Sequence, residues 1–308
     1  MCRVLAYLGK PLSLEHLLFT TDSSLVRQTY SPRMMTGALN LAGFGMAAWD
    51  ASSRAPEEPF IYRTTSMPVY DRNLRGLAQK IAPSCVVAHV RGVSWSPEAS
   101  ISEQNLHPFR YPGVSVTVAH NGHLREFREM RQDLLGFIKP PFAQLIDGTT
   151  DSEWLYALLI SQLDDPYRSP DAEELIEATT RTLSIVRQVR EKHDIRTSSP
   201  ANLFISTGRC LIATRFSFDY GWYPDDDPLM ETDLPYVALW YTAGEAYVEH
   251  DGEWMMSAAA DREPRSLIIA SEPLTSDVST WLEAPEYSIL GAWFDGESLR
   301  LDVRELAA

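Results

Sequence analysis

The sequence predicts an α+β fold in which strands and helices occupy separate layers. Strand-like segments rich in β-branched and aromatic residues fill the first third of the chain, and two helical segments follow between residues 150 and 193. Strand-like segments return after residue 200. This order argues against alternating β–α–β units around a parallel sheet. With 308 residues, of which 44% are hydrophobic, the chain can build one large core or two smaller domains.

Strands are predicted where apolar runs are bounded by glycine, proline and polar breaks. The first third contains five such runs, at residues 3–9, 38–49, 59–64, 85–90 and 114–121. Several of them are apolar on both faces, which is expected of strands that are covered on both sides.

Two helices are predicted from their end signals and their apolar spacing. The first begins after Thr150, with Glu153 three residues later in a capping-box pattern. Its apolar residues fall on one face, at Trp154, Leu155, Leu158 and Leu159. The second runs from about Ser169 to His193, with Ser169 as the N-cap and Pro170 in the first helical position.

The last third is predicted to form antiparallel hairpins. One has its turn across residues 207–210, and another has Asp251-Gly252 at its centre, a strong two-residue turn signal. A strand at 266–271 and a hairpin over 293–301 follow. The acidic, proline-rich stretch 223–235 is predicted to be a surface loop.

Charge and cysteine usage exclude several classes of function. The chain has 27 Lys and Arg against 42 Asp and Glu, and this net charge of −15 disfavours nucleic acid and anionic membranes as partners. The three cysteines are odd in number and widely spaced, so neither a disulfide framework nor a structural zinc site is expected. Cys85 and Cys210 lie within strand runs and are predicted to be inert core residues.

A cytoplasmic location without a resident cofactor is expected. No signal peptide and no apolar run of the roughly 18 residues of a membrane helix is recognised. The sequence also has no phosphate loop, no dinucleotide motif and no cysteine cluster for an iron–sulfur centre, and no metal is expected.

The second residue of the chain, Cys2, allows two interpretations. It can be a small, semi-apolar residue without a function. Alternatively, removal of Met1 makes Cys2 the true N-terminus, with a thiol and a free α-amino group on the same residue. The opening stretch by itself favours the first interpretation, so the rest of the sequence must decide between them.

Three further short sequences carry polar residues at the ends of predicted elements. They are AHVRG (88–92), with His89 and Arg91, AHNG (119–122), with His120 and Asn121, and TTDSE (149–153), with Asp151. Each alone has a purely structural explanation: a histidine at the edge of the core, an ion pair, a hairpin turn, or a contact with a helix dipole.

Together with Cys2, these motifs resemble the class II glutamine amidotransferases in type, order and spacing. The resemblance runs from Cys2 through about residue 155 and is weaker but present at IIASEPLTSD…WLEAP (268–285). That later segment is similar to the stand-alone branch of the family, which includes the γ-glutamyl hydrolase of ergothioneine biosynthesis. The resemblance implies a single domain over 2–308 with the four-layer αββα sandwich of the N-terminal-nucleophile hydrolases, completed by residues 200–308.

The resemblance implies that Cys2, after removal of Met1, is the nucleophile. The thiolate is the reactive form of a cysteine, and an α-amino group, with a pKa of about 7.7–8.0, can take the thiol proton near neutral pH. Attack on a side-chain amide gives an oxyanion and then a γ-glutamyl thioester. The resemblance assigns the oxyanion donors to the Asn121 side chain and the Gly122 N–H.

Four residues are candidates for substrate binding. Arg91 offers a forked donor for the carboxylate of an amino-acid head, and Asp151 offers an acceptor for its ammonium group. Ser94 is a candidate for the pocket lining, and His120 is a candidate whose alternative role is support of its motif turn. Trp95 is predicted to lie in a loop that covers the pocket.

The sequence leaves the leaving group open. The chain is either a hydrolase of glutamine or another γ-glutamyl amide in its own right, or a glutaminase subunit that delivers ammonia to a separate synthase partner. A non-catalytic scaffold with the same fold is a third alternative, although every expected catalytic position is filled. Synthase-linked relatives have a Trp after the Arg, whereas this chain has RGVS (91–94), which leaves room for larger γ-glutamyl substrates.

Overall fold

Two β-sheets packed face to face form the centre of the molecule. The structure is a computed structural model, and it describes residues 2–34, 39–93, 100–222, 238–260 and 263–307. Within these ranges the strands form a seven-stranded sheet (sheet A), a six-stranded sheet (sheet B) and a separate hairpin. The order of strands, helices and strands confirms the predicted α+β fold.

Sheet A brings strands from both ends of the chain side by side. In spatial order it contains β13 (Leu282–Glu283), β9 (Trp240–Gly244), β12 (Ser266–Ala270), β1 (Arg3–Leu8), β4 (Cys85–Val90), β2 (Phe44–Trp49) and β3 (Phe60–Thr64). Its neighbouring strands pair antiparallel. The N-terminal strand β1 is therefore flanked by β12 on one side and β4 on the other.

Sheet B carries the AHNG motif at one of its edges. In spatial order it contains β15 (Ser298–Glu305), β14 (Ser288–Asp295), β7 (Cys210–Arg215), β6 (Ser199–Ser206) and β5 (Thr117–Gly122), and the short β8 (Ser217–Phe218) pairs with β6. An isolated bridge between Phe109 and Val118 folds the preceding segment back onto β5.

Apolar side chains fill the space between the two sheets. Val4, Ala6 and Leu8 of β1 point into this space, whereas Leu5 and Tyr7 point to the outer layer of sheet A. Sheet B contributes Ala119, Phe204, Leu211, Ala213, Leu290 and Ala292. Strand β1 is buried on both faces, as predicted for the early strands.

A helical layer covers the outer face of sheet B. It contains α2 (Phe127–Leu135), α3 (Pro140–Ala143), α4 (Asp151–Ser161) and α5 (Ala172–Lys192). The apolar residues predicted on one face of α4 are buried, and so is the rest of the helix, because all 11 of its residues are buried. The helix packs against β5 as well as against α3 and α5, so no side is left for water.

The cap of α4 differs in part from its prediction. Thr150 caps the helix as predicted, since its Oγ1 accepts the N–H of Glu153 at 3.4 Å. The Glu153 carboxylate does not complete a capping box. It accepts the N–H groups of Asp147 and Gly148 at 3.2 and 2.6 Å instead.

Helix α5 begins later than predicted. Asp171, not Ser169, is the N-cap, and reciprocal bonds of 2.9 Å join Asp171 and Glu174 in a capping box. The carboxylate of Asp171 is therefore used for capping, where the sequence had pointed to the Ser169 hydroxyl.

The layer outside sheet A is thinner. It contains α1 (Arg72–Ala78), a π-helical turn (His16–Thr20) and the hairpin of β10 (Tyr247–His250) and β11 (Glu253–Met256). Positive φ angles at Asp251 and Gly252 confirm the predicted two-residue turn. Helices α1 to α3 and strand β9 were not predicted.

Most predicted strands are confirmed within a residue or two, but two begin later. The runs at 38–49 and 114–121 become strands only at Phe44 and Thr117. The hairpins around 207–210 and within 293–301 are confirmed by the pairing of β6 with β7 and of β14 with β15. The predicted loop at 223–235 lies outside the described residues. Among the helices that are described, none is long and apolar enough to cross a membrane.

Candidate active site

Cys2 lies at the end of β1, next to the end of β4. The pairing of Arg3 with Val90 brings Cys2 beside Arg91, one residue further along each strand. The Cys2 Sγ lies 3.6 Å from the carbonyl oxygen of Gly92, and 9% of the residue is exposed. The nucleophile predicted from the sequence therefore lies at the edge of the core, next to the AHVRG motif.

Arg91 is close to both Cys2 and Asp151. Burial lowers the pKa of its guanidinium, and the Cys2 and Asp151 side chains oppose that shift through their charges. The backbone N–H of Arg91 donates to Gly43 at 2.8 Å, and its Nη1 donates to the Ser100 carbonyl at 2.7 Å. These bonds hold the guanidinium near the thiol.

Asn121 and Gly122 end β5, on the sheet that faces β1. The Asn121 Nδ2 donates to the Ser271 hydroxyl at 3.2 Å. A Cβ at Gly122 would lie 1.9 Å from the carbonyl oxygen of Pro200 and 2.3 Å from Nε2 of His120. Only glycine fits where the chain runs this close to β6.

Asp151 occupies the first turn of α4, as predicted, and its carboxylate is buried. One oxygen accepts the N–H of Leu124 at 2.5 Å, and the other accepts the Ser152 hydroxyl at 3.1 Å. Burial alone would raise the Asp151 pKa, but the bond to His123 and the nearby charges of His123 and His120 hold it well below its usual range. Asp151 is therefore a permanent anion within the site.

His123 is a contact of Asp151 that the sequence analysis missed. Its Nδ1 lies 3.4 Å from Asp151 Oδ2, and 68% of its side chain is exposed. The bond to Asp151 raises the His123 pKa above its ordinary value. His123 directly follows the AHNG motif, and this position was the one signal that could have identified it.

Three buried histidines, His89, His107 and His120, lie on the inner side of the site. The rings of His89 and His107 lie 4.1 Å apart, and His107 Nδ1 accepts the backbone N–H of His120 at 3.2 Å. Burial, with nearby positive charge, lowers the pKa of His89 and His107 well below the ordinary value, so both rings stay neutral.

His120, a candidate for substrate binding, has both ring nitrogens engaged within the protein. Nδ1 lies 2.9 Å from the Ser152 hydroxyl, and Nε2 lies 3.3 Å from the Pro200 carbonyl. With 1% of the residue exposed, we expect His120 to support the AHNG turn rather than to contact substrate.

Ser271 and Glu272, which follow β12, are two further residues near the end of β1 that the sequence analysis did not single out. The Ser271 hydroxyl accepts the backbone N–H of Val4 at 3.0 Å as well as the Asn121 amide. Glu272 forms a fully buried ion pair with Arg3 at 3.3 Å. Both residues lie in the IIASEPLTSD segment, whose resemblance to the stand-alone branch was the available signal.

The other candidate residues do not join Cys2, Arg91, Asn121 and Asp151 among the described residues. Ser94 and the predicted covering residue Trp95 lie outside the described residues. Cys85 and Cys210 are buried, and burial raises the pKa of Cys85 to about 12 and that of Cys210 above its ordinary value. In the part of the chain that is described, no group of three or more His, Cys, Asp or Glu could hold a metal ion.

The structure thus gathers a thiol, an amide donor, a cation and an anion where β1, β4, β5 and α4 meet. We call Cys2, Arg91, Asn121, Gly122 and Asp151 the Cys2 site. A thiol can attack a carbonyl carbon, an amide and a backbone N–H can stabilise the resulting oxyanion, and a charged pair can hold a zwitterionic amino-acid head.

Sequence comparison adds a family match. The family model described as glutamine amidotransferases class-II matches residues 19–305. A curated relative, the probable glutamine amidotransferase DUG3 of Saccharomyces cerevisiae, is 29% identical over an alignment of 307 positions, and the match covers 94% of this chain and 81% of DUG3.

Two solved structures share the fold. The glutamine aminotransferase class-II domain protein from Silicibacter pomeroyi superposes with a TM-score of 0.61 at 21% identity, over the whole length of both chains. The glutamine phosphoribosylpyrophosphate amidotransferase from B. subtilis, complexed with ADP and GMP, superposes with a TM-score of 0.53 at 15% identity. That match covers 98% of this chain but 49% of the amidotransferase.

Proposed function

Because the chain belongs to the class-II glutamine amidotransferases, we propose that it hydrolyses glutamine or a larger γ-glutamyl amide with Cys2 as the nucleophile. One observation carries the proposal. The Cys2 thiol at the end of β1 lies beside Arg91 at the end of β4, and Ser271 bonds Asn121 to the same end of β1. The proposal treats residues 2–308 as one catalytic domain that acts in the cytoplasm.

The proposed reaction needs a free α-amino group on Cys2. Removal of Met1 converts a non-basic amide nitrogen into an amine, which can accept the thiol proton directly or through one water molecule. The Cys2 sulfur then attacks the γ-carbonyl carbon, and the C–N bond breaks as the amine returns the proton to the departing ammonia or amine. Water hydrolyses the resulting γ-glutamyl thioester, which releases glutamate and restores the thiol.

The oxyanion that forms in each half of the reaction needs fixed donors. The Asn121 carboxamide and the Gly122 N–H stand at the end of β5, on the sheet that packs against β1. Donors of this kind stabilise the transition state by about 3–4 kcal/mol each, because they are oriented before the charge develops.

Recognition of the substrate head is assigned to Arg91 and Asp151. The guanidinium can bind the α-carboxylate through two parallel hydrogen bonds, and the permanently charged Asp151 can accept the α-ammonium group. These two contacts select a free amino-acid head and direct its γ-carbonyl towards Cys2. They leave the leaving group unspecified, so the proposal covers glutamine and larger γ-glutamyl amides alike.

The deciding experiment measures release of glutamate and ammonia from glutamine, and of amine from a γ-glutamyl anilide. Protein whose N-terminus is confirmed as Cys2 by mass spectrometry is compared with Cys2→Ala and with Cys85→Ala as a matched control. We expect release that requires Cys2 and tolerates Cys85→Ala. Release from glutamine would direct the search to an ammonia-accepting synthase, and release from the anilide alone would identify a hydrolase of larger amides. Equal release by Cys2→Ala and the unmodified protein would refute Cys2 as the nucleophile, and no release by either protein would leave the non-catalytic scaffold as the explanation.

A further inference from the structure

The Ser271 hydroxyl joins the two sheets at the Cys2 site. It accepts the N–H of Val4, two residues from the nucleophile on sheet A, at 3.0 Å. It also accepts the Nδ2 of Asn121, at the end of β5 on sheet B, at 3.2 Å. The Ser271 N–H donates in turn to the Val4 carbonyl at 3.0 Å, so the serine is fixed to β1 through its backbone as well.

We propose that Ser271 is a positioning residue, which holds the Asn121 carboxamide at a fixed place and angle relative to Cys2. The inference rests on the proposed function, in which Asn121 stabilises the oxyanion. It assigns to Ser271 no contact with substrate and no part in proton transfer.

The Asn121 carboxamide needs a fixed partner because an asparagine side chain is free to rotate. Rotation about χ2 of Asn is broad, so packing alone does not fix which way a carboxamide faces. The apolar side chains that fill the space between the two sheets pack without directional bonds, so they do not orient a hydrogen-bond donor. The Ser271 hydroxyl bonds to both β1 and Asn121, so it fixes the distance between β1 and the Asn121 carboxamide. Apolar packing alone cannot fix that distance.

The residue after Ser271 strengthens this anchor. The buried carboxylate of Glu272 pairs with Arg3 at 3.3 Å and accepts the N–H groups of Arg33 and Met34 at 3.0 and 3.1 Å. Both partners of the pair are fully buried, so the chain on either side of Ser271 has little freedom to move.

The same strand offers a matched control. Ser266, at the other end of β12, is also fully buried, and its hydroxyl accepts the N–H of Lys10, just after β1, at 3.3 Å. Both serines thus bond to the chain of β1 or its continuation, but of the two only Ser271 contacts Asn121 among the bonds described. Ser266→Ala therefore measures how much activity is lost when a buried serine hydroxyl is removed from this strand while the contact with Asn121 is kept.

The test compares kcat, KM and thiol alkylation in Ser271→Ala and Ser266→Ala. We expect Ser271→Ala to lower kcat by about 10- to 100-fold with little change in KM, because misplaced oxyanion donors act only in the transition state. Alkylation of Cys2 by iodoacetamide, read by peptide mass, should not change because it forms no oxyanion. Ser271→Thr, which keeps the hydroxyl, should recover most of kcat.

A double-mutant cycle separates positioning of Asn121 from a general effect. If Ser271 acts through Asn121, adding Ser271→Ala to Asn121→Ala costs little further activity. Equal kcat in Ser271→Ala and Ser266→Ala, or additive losses in the cycle, would overturn the inference.

If Ser271→Ala does not fold, the isosteric pair Ser271→Cys and Ser266→Cys gives the same comparison. An inactive unmodified protein would instead refute the proposed function.

Discussion

His123 and Asp151 form an ion pair at the surface of the Cys2 site, with Nδ1 3.4 Å from Oδ2. The histidine side chain is mostly exposed, whereas the carboxylate is buried and receives the Leu124 N–H and the Ser152 hydroxyl from within. The His123 ring therefore occupies the solvent side of Asp151, and it is positively charged there when it is protonated. A substrate ammonium group that uses Asp151 must compete with it.

This competition predicts a pH-dependent KM. Asp151 raises the pKa of His123, and the nearby Arg125 and Glu126 act in opposite directions on it. We expect KM for the amide substrate to rise as pH falls through that raised pKa, because protonated His123 then holds Asp151. His123→Asn should remove this rise, while His193→Asn, at the end of α5 and paired with Asp133, should keep it. A KM profile that is the same in all three proteins would contradict the prediction.

The same pair predicts a pH-dependent contribution to stability. A histidine whose pKa is raised on folding stabilises the folded protein below the unfolded pKa of about 6.5, and this stabilisation is lost as pH rises through the folded pKa. His123→Asn should therefore lower the thermal unfolding midpoint in mildly acidic buffer and have little effect in alkaline buffer. The check is a series of unfolding curves over pH, in which a constant difference between the two proteins would count against the pair.

Gly122→Ala is expected to reduce kcat strongly. The added Cβ would lie 1.9 Å from the Pro200 carbonyl oxygen, so the backbone that carries the proposed oxyanion donor must move. A loss of about 10²-fold or more is expected for a misplaced donor. Gly76→Ala in α1 is the control, because apart from the backbone of its own helix and its chain neighbours nothing lies within 4 Å of its new methyl group, and alanine favours a helix. Full activity of Gly122→Ala would show that its N–H takes no part.

Arg91→Lys tests recognition of the substrate carboxylate. Lysine keeps the charge but loses the two parallel donors, which should raise KM by about 10- to 100-fold at little cost in the alkylation rate of Cys2. Arg196→Lys, whose side chain is exposed and paired with Asp194, is the matched control. A parallel fall in alkylation would instead mean that Arg91 supports the nucleophile and not the substrate.

Removal of the Glu272 carboxylate is expected to destabilise the fold. Glu272→Ala leaves the buried Arg3 without this partner, a change that typically costs about 3–5 kcal/mol. The exposed pair of Glu177 and Arg181 serves as the control, and Glu177→Ala should cost less than about 0.5 kcal/mol. Denaturant unfolding of both variants gives the comparison. Replacing both Arg3 and Glu272 by Met should recover part of the loss.

Thiol reactivity should separate the three cysteines. A glutamine-like electrophile is expected to label Cys2 first, because burial raises the pKa of the Cys85 and Cys210 thiols and closes both to reagent. Peptide mass mapping over a time course measures the three rates. Labelling that begins at Cys85 or Cys210 in the folded protein would contradict the assignment of the nucleophile.

Turns and helix ends could be predicted where the residues that define them act on their neighbours in sequence. Turn residues such as Asp251-Gly252 and the cap Thr150 act on their immediate neighbours, so the sequence around them is enough to place them. The start of α5 was misplaced because Ser169 and Asp171 both suit an N-cap and only the formed capping box distinguishes them. The burial of every side of α4 could not be predicted, because it depends on how α3 and α5 pack around the helix.

By itself the sequence determined the α+β order of elements, the candidate residues Cys2, Arg91, Asn121, Gly122 and Asp151, and the resemblance that joins them. Only the tertiary structure decided that Ser271 contacts Asn121 across 150 residues of chain, and that His123 covers Asp151. The physical reason is the pairing of β1 with β12 and the packing of sheet A on sheet B. Strand pairing and sheet packing join residues that are far apart in sequence, and no local pattern records which residues will meet.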